Sequence, residues 1–359
     1  MFTFRKSIIT AIILVCFIFF LRSSQYSTTS TPNIPHDPLH AGQPTDENVR
    51  LKHDTNQQQP LKSPPLAPLR DRLRYQFPYD LEAKFPAYIW QTWKYTPASM
   101  WFDAELRVAE ASWTELHPGF VHEVVPDDTQ RHLIKYLYAA VPEVYEAFDA
   151  LPLAVLKADF FRYLVLLARG GIYSDIDTTA LKPATEWLPA EMDLSTIGFV
   201  VGIEADPDRP DWHKWYSRRI QFCQWTIQAK PGHPILRDLV ATITEDALRM
   251  KRAGFLTNGK TDKTIVEFTG PGVWTDAIFR YLNNPEYFNI RPGETRNITY
   301  EDFTNQVEHR KVGDVVVLPI TSFSPGVQQM GAQDVDDPMA FVKHDFGGIF
   351  FPSLTTLLS

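Results

Sequence analysis

The stretch that most constrains this chain runs from Leu153 to Asp177. It reads Leu-Ala-Val-Leu-Lys-Ala-Asp-Phe-Phe-Arg-Tyr-Leu-Val-Leu-Leu-Ala-Arg-Gly-Gly-Ile-Tyr-Ser-Asp-Ile-Asp. Phe160, Leu164 and Leu167 recur at i, i+4 and i+7, and Phe161, Val165 and Ala168 widen that stripe into the apolar face of a helix. Gly170 and Gly171 end the helix, because glycine takes left-handed backbone geometry without steric cost. A short buried strand is expected over 172–176, running into Asp-Ile-Asp. Residues two apart in a strand point the same way, which would put Asp175 and Asp177 on one face.

Two adjacent carboxylates repel each other, and they persist cheaply only beside a cation. Hard oxygen ligands suit Mg²⁺ or Mn²⁺, which commonly take one or two carboxylates plus substrate phosphates. Asp159 and Arg162 lie one helical turn apart, so both can face the same cleft. A lone Asp-x-Asp is ordinarily a solvated turn. The composite Ala-Asp-x-x-Arg-Tyr followed by Gly-Gly-Ile-Tyr-x-Asp-x-Asp is far more specific. It describes a site for a sugar carried on a diphosphate, with Asp159, Arg162, Asp175 and Asp177 as its catalytic set.

The rest of the chain supplies the setting. Its 359 residues suffice for one large α/β domain or two small ones, and a hydrophobic share of 44% allows a sizeable core. A net charge of −8 argues against nucleic acid as the main partner. Only Cys16 and Cys223 occur, one in an apolar run and one far away, so no intrachain disulfide is expected and Cys223 reads as a small buried hydrophobe.

Arg5 and Lys6 precede an apolar run from Ile8 to Leu21, with Arg22 after it and no small-x-small cleavage pattern. This reads as a signal anchor over 8–22 behind a cytosolic tail over 1–7, with everything beyond it luminal. Residues 23–70 are rich in Pro, Ser, Thr and Gln, too polar to offset ordering entropy, and read as a disordered stem. The catalytic domain is placed at 71–359.

Within that domain, strands are expected over 87–93, 120–125, 195–203, 222–228 and 315–320. Helices are expected over 99–116, 127–140 (capped by Asp127 or Asp128) and 234–251. Alternating strands and helices indicate an α/β, Rossmann-like domain. Ligands of such sheets sit at the carboxyl ends of strands, which puts Gln91, Thr92, Trp93 and Lys94 where a nucleotide base and ribose would bind. Trp212, Trp215 and Tyr216, beside the acidic loop 204–211, have faces suited to sugar rings. Asn297-Ile-Thr299 is an N-glycosylation acceptor sequence.

The composite motif resembles the D-x-D glycosyltransferases of the GT-A fold. Within them it is most similar to the fungal initiation-specific α-1,6-mannosyltransferases of glycosyltransferase family 32. The likeness is carried also by Phe85-Pro-Ala-Tyr-Ile-Trp-Gln-Thr-Trp-Lys94, Ile203-Glu-Ala-Asp-Pro-Asp208, the run from Gln221 to His233, Thr269-Gly-Pro271, Leu318 to Pro325, and Gln329-Met-Gly-Ala-Gln333.

The resemblance implies a retaining, Golgi-resident, single-pass type II membrane enzyme. It would use Mn²⁺ and GDP-mannose, which Gln91 to Lys94, Asp159, Arg162 and Asp175 would contact, and it would add α-1,6-mannose to the N-glycan core of glycoproteins. A mannosyltransferase complex is a further implied partner. His344 corresponds to a family histidine near the C-terminus and would be the third metal ligand beside Asp175 and Asp177, and Asp276 would contact a hydroxyl in the cleft. Ile349 and Phe350 stand where the family has Ser and Trp. Three other readings stay open: a sphingolipid (inositol phosphoceramide) mannosyltransferase, a non-catalytic subunit of a transferase complex, and a metal-dependent phosphohydrolase.

Overall fold

The computed structural model describes residues 67–258, 267–288 and 296–345. The expected anchor at 8–22, the stem up to residue 66 and the ending at Ile349 and Phe350 lie outside them. No helix among the described residues is long and apolar enough to cross a membrane. Helix α1 (Leu69–Gln76) begins within the stretch read as stem. Arg70 ties it to the domain through Asp238, at 2.7 Å, and Glu245, at 3.0 Å.

Strands β1 (Tyr88–Trp93), β2 (Val121–Pro126), β3 (Gly171–Ser174), β4 (Thr178–Ala180), β5 (Phe199–Ala205), β6 (Gln221–Ala229), β7 (Arg310–Val312), β8 (Val315–Leu318) and β9 (Val342–His344) follow in chain order. Seven of them form one sheet in the order β2-β1-β3-β6-β5-β8-β7, and β4 pairs with β9 apart from it. Strands β1, β2, β3, β5 and β8 run one way; β6 and β7 run against them. The class is therefore a mixed, GT-A-like α/β sheet.

Period-two alternation divides the core between the two faces. Tyr173, Phe199, Val201, Val315 and Val317 meet α3 (Asp127–Leu137), α4 (Pro142–Ala150), α5 (Ala154–Arg169), α6 (Pro234–Arg252) and α7 (Pro271–Leu282). Ile172, Val200, Cys223 and Val316 face the other way, onto Trp113 of α2 (Leu106–Leu116), Trp187 and Phe323. Cys223 is indeed a buried free thiol.

Several boundaries differ from expectation, each for a local reason. The helix expected over 99–116 begins only at Leu106, because the preceding residues form turns that Arg107 fastens through Pro97 O and Ser99 O. Asp127 and Asp128 do not cap α3; they lie in its first turn, where negative charge suits the helix dipole. The strand expected from 195 starts at Phe199, since Asp193 accepts from Ser195 N and closes a 3₁₀ turn first. The last strand stops at Leu318, where Pro319 removes a ladder donor and a helical turn follows.

Candidate functional site

Helix α5 and strand β3 meet at two glycines. Gly170 (φ 64°) and Gly171 (φ 95°) both occupy backbone space that side chains avoid, and a Cβ on Gly171 would stand 2.6 Å from Tyr88 O. This tight joint lays α5 directly along the sheet, so its polar residues reach the carboxyl ends of β1 and β3.

The expected strand through Asp-Ile-Asp does not extend that far. Strand β3 ends at Ser174, and Asp175 to Asp177 form a turn in which Thr178 N and Oγ1 both donate to Asp175 O, at 3.1 and 2.5 Å. The two carboxylates converge through this turn rather than through strand periodicity. The β4–β9 pair completes the group: Thr178 stands opposite His344, and Asp345 N donates to Asp177 O at 2.9 Å. His344 Nε2 lies 3.5 Å from Asp177 Oδ1, and Trp225 sets its ring edge-on to the imidazole with centroids 4.9 Å apart.

Asp175, Asp177 and His344 each offer a ligand atom, all within 4.8 Å of one another. Two carboxylates and an imidazole, partly exposed to the cleft, form a donor set that fits a hard or borderline divalent cation.

Asp159 and Arg162, both from α5, lie beside it. Arg162 Nη2 reaches Asp159 Oδ1 at 3.0 Å and Asp175 Oδ1 at 3.4 Å, while Nη1 donates to Gln224 O at 2.8 Å. Its guanidinium also sits 4.9 Å from the centre of the Tyr173 ring. Burial opposes this charge, but Asp175, Tyr173 and Asp159 together hold Arg162 above its ordinary value, so it is a permanent cation. Burial pushes the Asp159 carboxyl up, to about 7, against the pull of Arg162 and a 3.1 Å hydrogen bond from Thr269 Oγ1. Tyr173 OH donates to Asp175 Oδ1 at 2.7 Å, leaving that aspartate doubly oriented.

Of the four residues expected at the nucleotide, Gln91 is fully buried. Its Nε2 donates to Asp175 O at 3.1 Å, so its Oε1 must accept from His122 Nε2, 2.9 Å away. That assigns the ring proton to Nε2 and makes Nδ1 the acceptor for Thr114 Oγ1 at 2.8 Å. Burial drives His122 down to about 4, which keeps the ring neutral as this chain of bonds requires.

Thr92 is buried, with Oγ1 3.5 Å from Tyr173 OH. Trp93 is half-buried and donates to Asp103 Oδ2 at 2.7 Å, and exposed Lys94 lies 5.3 Å from its ring. Trp90 belongs to the core, donating to Gly170 O at 3.0 Å. Asp276, expected as a hydroxyl contact, pairs with Arg218 at 2.7 and 2.6 Å. Trp215 and Tyr216 lie within the loop between β5 and β6, Trp215 being 52% exposed. Asn297 is exposed.

Two groups were marked in the sequence only as members of longer stretches, with no individual role. Thr269 lies far along the chain yet bonds Asp159, and only the Thr-Gly-Pro helix start marked it. Glu204 reads as part of an acidic loop, but it sits at the end of β5. It is partly open to the cleft and otherwise ringed by protein, and burial pushes its carboxyl up to about 8, while Gln221 and Arg162 pull it down and Asp159 pushes it up. It is therefore a fourth acid group at the site, beside Asp159, Asp175 and Asp177.

Residues 103–193, which include the paired aspartates, match the family model for the glycosyltransferase sugar-binding region containing the DXD motif. An initiation-specific alpha-1,6-mannosyltransferase of Candida albicans is 45% identical, across 96% of this chain and 93% of its own length. Its namesake in Schizosaccharomyces pombe is 47% identical across 78% of this chain and 66% of its own. The putative glycosyltransferase HOC1 of Saccharomyces cerevisiae is 42% identical across 79% and 69%. With identity of that order sustained over nearly its whole length, the chain belongs to the DXD-containing glycosyltransferase family of the fungal initiation-specific α-1,6-mannosyltransferases.

Proposed function

We propose that this glycosyltransferase moves mannose from GDP-mannose to a mannose of a glycoprotein N-glycan core, making an α-1,6 bond with retention of configuration. The observation that carries the reading is the convergence of Asp175, Asp177 and His344 within 4.8 Å, beside the buried pair Asp159 and Arg162. Family membership supports the donor and the linkage. Asp175, Asp177 and His344 would hold the divalent cation, Mn²⁺ in our reading. When bound it supplies Lewis-acid neutralisation of charge on the leaving diphosphate.

The remaining work belongs to the chain itself. Arg162, with most of its donors engaged by protein, fixes Asp159 and Asp175 in register; it acts as a positioning cation. Asp159 keeps lone pairs beyond those used by Arg162 and Thr269, and these would accept hydroxyls of the sugar or ribose. The relay from Thr114 through His122 and Gln91 locks the carbonyl of Asp175 and hence the turn. Trp93 and Lys94 remain on the open side for the nucleotide. A front-face route, in which the leaving phosphate helps deprotonate the acceptor, needs no covalent nucleophile from the protein. The N-terminal apolar run supports a Golgi membrane setting with the domain luminal, where such acceptors occur.

The test is a transfer assay with the full chain in detergent, offering labelled GDP-mannose with a high-mannose glycan and, separately, inositol phosphoceramide. Transfer to the glycan, stopped by EDTA and restored best by Mn²⁺, is the expected result. Asp175→Asn or Asp177→Asn should lose on the order of a hundredfold or more, since metal stabilisation of a leaving diphosphate is worth several kcal/mol and each ~1.4 kcal/mol is tenfold. Mn²⁺ with GDP should raise the melting temperature of the wild type but not of these variants. Full activity in excess EDTA would remove the metal role, and transfer to the lipid alone would replace the acceptor.

A further inference from the structure

Beyond the end of β5, the loop over 206–220 and the segment around Tyr300 enclose an open cavity of about 440 Å³. Asp208, Arg209, Pro210, Trp212, Arg219 and Tyr300 line it. Its walls are pre-formed. Asp206, 8% exposed, accepts from Arg219 Nη1 at 2.7 Å, Thr304 Oγ1 at 2.8 Å and Asn305 N at 2.7 Å, which ties the loop to the segment carrying Tyr300. Arg209 is held by Asp211 at 2.5 Å and lies 5.4 Å from the Trp215 ring; Arg219 lies 5.3 Å from the Tyr300 ring. Tyr300 and Trp215 remain 40% and 52% exposed.

The chemistry of these walls selects a ligand class. Aromatic faces take the apolar faces of sugar rings, and guanidinium and carboxylate edges take hydroxyls. Both arginines already have carboxylate partners, so the cavity offers no uncompensated cation for a phosphate. The volume falls within the range of ligand clefts, about 300–1,000 Å³, yet the cavity is shallow and open, which suits part of an extended chain rather than an enclosed cofactor. The loop that forms it also follows the strand carrying Glu204. Strand β5 ends at Ala205, one residue past Glu204, and half-buried Tyr216 of the loop is near enough to Glu204 that its phenol is raised by burial and by that carboxyl.

We propose that this cavity is an acceptor subsite for neutral oligosaccharide, holding mannose residues of the acceptor remote from the reacting hydroxyl; this rests on the glycan-acceptor reading above. It gives the enzyme a reason to distinguish an assembled glycan from a short mannoside, because only the former spans both places.

The experiment uses the full chain in detergent with Trp212→Ala and Tyr300→Ala, a high-mannose oligosaccharide and α-methyl mannoside. Transfer kinetics and calorimetric titration of each saccharide without donor are both measured. Each variant should raise KM for the oligosaccharide about tenfold, with kcat, the KM for GDP-mannose and the KM for the short mannoside unchanged; titration should show the same selective loss of binding. Tyr300 sits in an exposed capping turn, so its variant keeps the test valid if Trp212→Ala does not fold. Equal effects on both saccharides, or no effect on either, would overturn the subsite. If the wild type transfers to no saccharide, the function reading fails while titration still decides: selective loss upholds the subsite, and a wild type binding both saccharides equally removes it.

Discussion

Replacing Arg162 by Met tests the electrostatic frame of the site. Its guanidinium is 7% exposed and lies 3.0 Å from Asp159, 3.4 Å from Asp175 and 2.8 Å from Gln224 O. At charge separations of ~4 Å and an effective dielectric of ~20, each ion pair is worth about 4 kcal/mol of attraction, offset by the hydration the arginine gave up. Removing one partner of a buried pair leaves the other charge stranded, which typically costs about 3–5 kcal/mol. With each kcal/mol worth roughly 2–4 °C in a domain of this size, Arg162→Met should melt about 6–20 °C below the wild type in EDTA. Asp159→Asn should cost much less, since Arg162 keeps Asp175. The double variant should be less destabilised than the sum of the singles by about 2 kcal/mol or more, because the stranded charge at 159 is gone. Denaturant melts of the four proteins close the cycle. Additivity within ~0.5 kcal/mol would refute the coupling, and with it the role of Arg162 as the organiser of the carboxylates.

Two further outcomes follow from the same site. Glu204 is raised from its ordinary 4.5 to about 8, so the folded state holds a proton the unfolded chain has lost, and stability falls as pH rises through that interval. Glu204→Gln should therefore gain melting temperature over the wild type progressively from about pH 5 to 8 and no more above it; a difference constant with pH would refute the assignment. Gln91→Leu fills the space but strands the His122 ring N–H and takes one of three donors from the Asp175 carbonyl. It should lower stability by about 1–3 kcal/mol for the stranded group. It should also weaken the Mn²⁺-dependent rise in melting temperature, whereas an unchanged metal response would mean the relay does not hold the turn.

Much of this was legible because the informative signals are local. The stripe from Phe160 to Leu167 and the Gly170–Gly171 break specify a helix abutting a strand whatever the rest of the chain does. The geometry of Asp159 and Arg162 follows from their spacing on that helix, and their ion pair at 3.0 Å is what one turn of separation permits. The Asp-x-Asp pair was legible as a pair, but for a reason that did not hold: strand periodicity gave way to a turn at Ser174. Composition cannot see that boundary, since Thr178 ends the strand by bonding back to the Asp175 carbonyl.

The less legible features share a physical cause, which is that long-range register decides them. Gln91 sits at a strand end, where ligands are expected, yet the β1–β2 register sets it opposite Val124 with His122 within reach, and its amide is consumed there. Glu204 looked like loop because acidic, proline-marked sequence usually is. Strand pairing of β5 with β6 instead carries it to the edge of the sheet, where burial rather than motif makes it distinctive. His344 is the converse case. Family resemblance named it, but what brings it to Asp177 is a three-residue pairing of β4 with β9, set against a sheet those strands do not join. That short ladder is held by backbone bonds and by Trp113, whose Nε1 donates to Thr178 O at 2.9 Å from the buried face of α2. The third ligand of the candidate metal centre thus depends on a tryptophan that no metal-binding motif contains, and the integrity of the cluster is a property of the core as much as of the cleft.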